Sequence, residues 1–131
     1  MTSFDVTTHV RTELLDITDK VKDAVAQSKV GSGMCFVYVP HTTAAVTVNE
    51  SYDADVAADI TAALSKLVPL RADYAHSEGN ADAHIKAAMV GSCQAIPVVE
   101  GRLALGRWQG IFFCEFDGPR QRRVQVQVIN E

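Results

Sequence analysis

The feature that most constrains this chain is a change of hydrophobic period along its length. From Cys93 onward apolar residues recur at nearly every second position, and the last stretch is the clearest example. There Val124, Val126 and Val128 alternate with Arg123, Gln125 and Gln127, the pattern of a strand with one buried face. Earlier segments read differently. Ile17, Val21, Val25 and Ser28 fall at helical spacing, with Thr18 available as N-cap and Gly31 as terminator. Tyr52, Val56, Ile60, Ala63, Leu64 and Leu67 trace one face of a longer helix from about Ser51 to Val68, stopped by Pro69.

The rest of the chain fills in around these elements. Strands are expected at Phe4–Arg11, Gly33–Val39, Ala44–Val48, Cys93–Val99, Leu103–Leu105, Gly110–Phe116 and Arg122–Ile129. Arg71–Asp82 reads as a polar loop, and Ala83–Val90 as a short helix closed by Gly91. Val99-Glu100-Gly101-Arg102 has the spacing of a tight hairpin. About seven strands and three helices, with helices early and strands late, predict an α+β fold rather than a doubly wound parallel sheet. No repeat or linker divides the chain, so a single domain over residues 1–131 is expected.

Composition narrows the function classes. A net charge of −4 argues against sequence-independent nucleic-acid binding, which needs a positive surface. No apolar run approaches the length of a membrane span and the N-terminus lacks a signal pattern, so the expected compartment is the cytoplasm. Cys35, Cys93 and Cys114 are odd in number, lack C-x-x-C spacing and sit in apolar stretches, which predicts buried free thiols.

The chemistry-bearing residues gather at element ends. His41 follows Pro40 at a strand end, while His76 and His84 bracket a glycine-containing loop that can fold them toward one point. Three imidazoles would leave a fourth position open on a zinc ion. Each of these histidines, taken alone, is more often a hydrogen-bonded or surface residue. Glu50, just before the long helix, fits either a helix N-terminus or a catalytic role as metal ligand, histidine partner or general base. Glu115 lies among Phe112, Phe113, Cys114 and Phe116; if buried, it needs a partner, and Arg120 or Arg122 would serve. Asp117-Gly118-Pro119-Arg120 is a turn by its chemistry, and the arginines beyond it suit phosphate or diphosphate oxygens. A solvated charge cluster is the plainer reading of those arginines, and of Lys86. Trp108, flanked by glycines, reads as a pocket wall or as core.

Three blocks of this sequence resemble the YjbQ family over nearly the whole chain. They are His41-Thr42-Thr43-Ala44-Ala45-Val46-Thr47-Val48-Asn49-Glu50, then Gly79-Asn80-Ala81-Asp82-Ala83-His84-Ile85-Lys86-Ala87, then Gly101-Arg102-Leu103-Ala104-Leu105-Gly106 with Trp108-Gln109-Gly110-Ile111 and Glu115. The resemblance implies a two-layer β-sandwich with two to three flanking helices, assembled as a homotrimer. It also implies a divalent metal, zinc first and magnesium second, held by His41, His76 and His84. The activity it implies is that of a secondary thiamine-phosphate synthase, which joins hydroxymethylpyrimidine diphosphate to thiazole phosphate. On that reading Glu50, Glu115 and Arg120 act in catalysis, while Asn80, Lys86, Trp108 and Arg122 bind a small phosphorylated heterocycle. The alternative is a non-catalytic trimer that binds a metal or small ligand.

Overall fold

A computed structural model describes all residues from Met1 to Glu131. Eight antiparallel strands and three helices follow in the order β1 (Thr2–Thr7), β2 (Glu13–Asp16), α1 (Thr18–Ser28), β3 (Gly33–Tyr38), β4 (Ala44–Glu50), α2 (Ala54–Leu67), α3 (Ala81–Val90), β5 (Cys93–Val99), β6 (Arg102–Leu103), β7 (Gln109–Glu115) and β8 (Gln121–Asn130). They form a five-stranded sheet in the order β1-β8-β3-β5-β6 and a three-stranded sheet in the order β2-β7-β4. The expected α+β class holds. The eighth strand is β2, which has no alternating pattern of its own and exists because it pairs with β7, Glu13 opposite Glu115.

Side chains from both sheets and from α1 meet in one core. Val37, Ile96, Val124 and Val126 of the larger sheet join Val46, Ile111 and Phe113 of the smaller one, with Val21 and Val25 of α1. A second, smaller cluster joins Ala83 and Ala87 of α3 to Ala45, Cys114 and Phe116. It seats α3 against β4 and so fixes the loop before it. In contrast, α2 buries no residue fully: Leu64 touches the second cluster, while Leu67, and Tyr52 just before the helix, are exposed.

Local chemistry explains most boundaries and several departures. The β5–β6 hairpin has Glu100 and Gly101 both at positive φ, 52° and 76°, as a two-residue turn of this hand requires. Asp53 caps α2 by accepting from the Asp55 amide at 2.9 Å. Thr18 does not cap α1. Its hydroxyl donates to Asp16 and accepts from the Ile111 amide, tying the helix start to β7. The helix ends at Lys29 in the left-handed region, two residues before Gly31. Cys35 and Cys114 are buried as expected, and burial pushes their thiols up to about 11 and about 12, Cys35 with a further contribution from the nearby Cys93. Cys93 is exposed instead, because the outward positions of β5 carry no covering layer.

Candidate functional site

A polar cleft of about 650 Å³ opens where three connections meet: the β3–β4 loop with His41, Thr42 and Thr43; the start of α3 with Asn80 and His84; and the β7–β8 turn with Asp117, Arg120 and Arg122. Pro40 ends β3, and α3 brings its N-terminus to the cleft, so irregular backbone gathers at one end of the smaller sheet.

Glu115 anchors this end. It is fully buried and accepts five hydrogen bonds. Oε1 accepts from Thr8 Oγ1 at 2.7 Å and Arg122 Nε at 2.9 Å. Oε2 accepts from the amides of Phe116 and Asp117, each at 3.1 Å, and from Arg122 Nη2 at 2.5 Å. Burial works to raise the Glu115 carboxyl, but the bonds from Arg122, Thr8 and the Asp117 amide, with the Arg122 charge, hold it below its usual range. With its lone pairs engaged and no exposure, Glu115 cannot take a substrate proton. Within the chain Glu115 does not line the cleft, and its contacts fix Arg122, which does.

Arg122 is the partner chosen of the two arginines considered. Its Nη2 also donates to Thr43 Oγ1 at 2.8 Å, and the side chain is 6% exposed. Nη1 has no protein acceptor, yet it is not sealed from water, and the residue lines the cleft. Arg120 lies in the open, donating through Nε and Nη2 to the Asp117 carbonyl and carboxylate. Asp117 also accepts from Asn80 Nδ2 at 2.9 Å and Arg11 Nη1 at 3.1 Å. Burial acts to raise its carboxyl, and the contacts with Asn80, Arg120 and Arg11 outweigh it, so Asp117 stays ionised. Arg11 bridges onward to Asp82, which also pairs with Lys86 at 3.2 Å. The network sets four cations, Arg11, Lys86, Arg120 and Arg122, against the three carboxylates Asp82, Glu115 and Asp117. Of these, Arg120 and Arg122 line the cleft, together with the carboxylates of Asp117 and Glu78.

Other expected site residues lie elsewhere. Lys86, on α3, is buried against Asp82 and does not line the cleft. Glu50 ends β4, six residues beyond Ala44, which places it about 20 Å along the strand from the cleft end. There it shares a separate hollow with Tyr52, Asp53 and Trp108. Tyr52 and Trp108 meet edge to face at 5.1 Å, and Trp108 is 48% exposed. Glu50 and Trp108 therefore cannot act with Arg120 on one small molecule within this chain.

The histidines divide as well. His84 lines the cleft and also packs its ring edge-to-face on His76, with centroids 5.1 Å apart. His76 sits outside the cleft, in an adjoining hollow with Tyr74 and Ile85, 3.7 Å from Glu78. His41 points Nε2 at the backbone amide of Arg123 and accepts its hydrogen at 2.9 Å. Burial, and then the Arg122 charge, hold the His41 imidazole below its usual pKa. Two imidazoles on one tetrahedral zinc have centroids about 5 Å apart for Zn–N bonds of roughly 2 Å, so His76 and His84 suit two corners. However, no three His, Cys, Asp or Glu side chains converge on one point, and the expected three-histidine centre is not assembled within the chain.

Sequence reasoning passed over Thr8, Arg11, Thr43 and Asp82, and read Asp117 only as a turn residue. Thr8 and Arg11 meet their partners across more than a hundred positions, and no local pattern marks such pairs.

Comparison with known proteins agrees with this architecture. The family model described as UPF0047 protein YjbQ-like matches residues 2–131. A UPF0047 protein of Methanocaldococcus jannaschii is 48% identical over 128 residues, covering 98% of this chain and 93% of its own. UPF0047 protein YugU of Bacillus subtilis is 41% identical, covering 97% of each. Among solved structures, a YjbQ/UPF0047 family protein of Clostridium acetobutylicum superposes with a TM-score of 0.97 at 49% identity, covering 98% of this chain and 100% of that one. A YbjQ-like protein of unknown function from Sulfolobus solfataricus gives 0.96 at 35% identity, covering 99% and 96%. Sequence and fold together make this chain a member of the YjbQ-like UPF0047 family.

Proposed function

We propose that the cleft binds a small phosphorylated molecule through Arg122 and Arg120, and that the chain uses it for a thiamine-phosphate-synthase-like condensation. The observation carrying this is the buried, carboxylate-anchored Arg122, which lines the cleft and whose Nη1 has no protein acceptor. A guanidinium fixed in this way is ready for an oxyanion without reorganising. The proposed reaction suits such a site. When hydroxymethylpyrimidine diphosphate ionises, charge develops on the departing diphosphate, and the thiazole nitrogen attacks the carbon left behind. The chief demand is stabilisation of that anion rather than a strong base, and no free buried carboxylate lies in the cleft. One such contact is worth about 3 kcal/mol, a hundredfold in rate.

The family resemblance adds a homotrimer built from two-layer β-sandwich domains of residues 1–131, in the cytoplasm, where three free thiols are at home. It also adds a divalent metal, zinc or magnesium. His76 and His84 are the pair that would hold it, and a metal there would add positive charge near the diphosphate. No helix is long and apolar enough to cross a membrane.

A second reading is favoured by Glu115 being fully engaged: the chain binds its ligand without turnover. Incubating purified protein with both heterocyclic phosphates, with and without added zinc or magnesium, separates the two. Saturable thiamine phosphate formation, reduced at least tenfold in the exposed-site variant Arg120→Ala, supports catalysis. No product under any of these conditions leaves only the binding reading.

A further inference from the structure

The role of His41 follows from one hydrogen bond. Its Nε2 accepts the Arg123 backbone N–H at 2.9 Å, so Nε2 carries a lone pair and no proton. A neutral imidazole in that position must carry its proton on Nδ1. Nδ1 donates to no protein atom, yet it is not sealed from water, and the ring lines the cleft beside Arg122. Neither nitrogen is then free to ligate a metal: one lone pair is used by the Arg123 amide, the other nitrogen is protonated. What His41 offers instead is a rigid N–H.

We infer that His41 is a tautomer-locked Nδ1–H donor which, with the free Nη1 edge of Arg122, recognises a phosphoryl or diphosphoryl group in the cleft rather than a metal ion. The inference rests on the reading of the cleft as a site for a phosphorylated ligand and gives that site a discriminating residue. Phosphoryl oxygens only accept hydrogen bonds, and His41 Nδ1–H and Arg122 Nη1–H are both donors, in a cleft that the carboxylates of Glu78 and Asp117 also line. The β8 backbone sets the ring, since Arg123 is the residue next to Arg122 and pairs with Asp5 of β1. Both donors are therefore positioned by one strand. Arg122 faces inward to Glu115 and Thr43, and the amide one residue later holds His41.

Two measurements on the protein as purified test this. Nitrogen-15 spectra of the histidine rings, with His41 identified by its loss in His41→Gln, report the tautomer at neutral pH. An Nδ1–H ring is expected; an Nε2–H ring, or an imidazolium, overturns the inference whatever the variants do. Calorimetric titration with inorganic pyrophosphate and with phosphate then compares wild type with His41→Asn, which keeps an amide N–H near the Nδ1 position, and His41→Ala. A loss of about tenfold to a hundredfold in affinity for His41→Ala is expected, with most of it restored in His41→Asn and with zinc content equal in all three proteins. Unchanged pyrophosphate affinity in His41→Ala, or zinc lost from it, overturns the inference while leaving the anion cleft standing. Wild-type protein that binds neither anion refutes the reading of the cleft, and the inference with it.

Discussion

Replacing Glu115 with glutamine should be among the most damaging isosteric changes in this molecule. Five donors converge on its two oxygens, and two of them belong to the Arg122 guanidinium, itself nearly sealed from water. Glutamine can present one carbonyl to some of these donors. Its amide would face the rest as a sixth donor, and the Arg122 charge would lose its only buried counterion. Removing one partner of such a pair costs about 3–5 kcal/mol, a large part of the roughly 5–15 kcal/mol that holds a domain folded. For a chain of this length, about 4 kcal/mol corresponds to a fall in Tm of roughly 12–20 °C. Thermal and urea denaturation of Glu115→Gln, Arg122→Met and the double variant measure it. The double variant should recover most of the loss, because the desolvated charges then vanish together. A Glu115→Gln protein within about 0.5 kcal/mol of wild type would refute the anchoring role, as would a double variant that simply sums the single losses.

Three further outcomes follow from the same geometry. A Cβ at Gly33 would fall 1.8 Å from the Ile129 carbonyl oxygen, which is backbone and cannot swing away, so Gly33→Ala should destabilise by about 2–3 kcal/mol in urea; Gly31→Ala, with nothing within 4 Å, should be neutral. Acid should destabilise the chain in two stages. His41 has a lowered pKa when folded, so the unfolded chain takes up its proton first and stability begins to fall below about pH 6.5; Glu115 and Asp117, also lowered, add a steeper loss below 4.5, and urea midpoints measured against pH should show both stages, the first missing in His41→Ala. Truncating the core at Phe113, fully buried between the sheets, should cost about 3–5 kcal/mol without altering the charged network, read as a lower urea midpoint.

What the sequence discloses here is what local chemistry decides. The Glu100-Gly101 turn, the alternation of β8 and the helical face of α2 are each set by neighbours a few residues away. The burial of Glu115 was legible for the same reason, since it stands among aromatic and apolar residues in one strand. Its choice of Arg122 over Arg120 was not legible, because it depends on which face of β8 turns inward. The long reach of Thr8, just past β1, to Glu115 of β7, and the bond from the Arg123 amide that fixes His41, were hidden likewise. Residue type drew the three histidines together, and the backbone gives each a different setting: His41 accepts from the Arg123 amide, His84 lines the same cleft from α3, and His76 packs on His84 from outside it. Glu50, singled out by its place before the long helix, and Trp108, by its flanking glycines, share a hollow that the length of β4 separates from the cleft.

The most direct test is a crystal of this protein soaked in tungstate, an oxyanion of phosphate shape with a strong anomalous signal. The account predicts a peak within hydrogen-bonding distance of Arg122 Nη1 and His41 Nδ1, with Arg120 at its open side. Density confined to the hollow between Glu50 and Trp108, or a metal bonded to His41 Nε2, would contradict it.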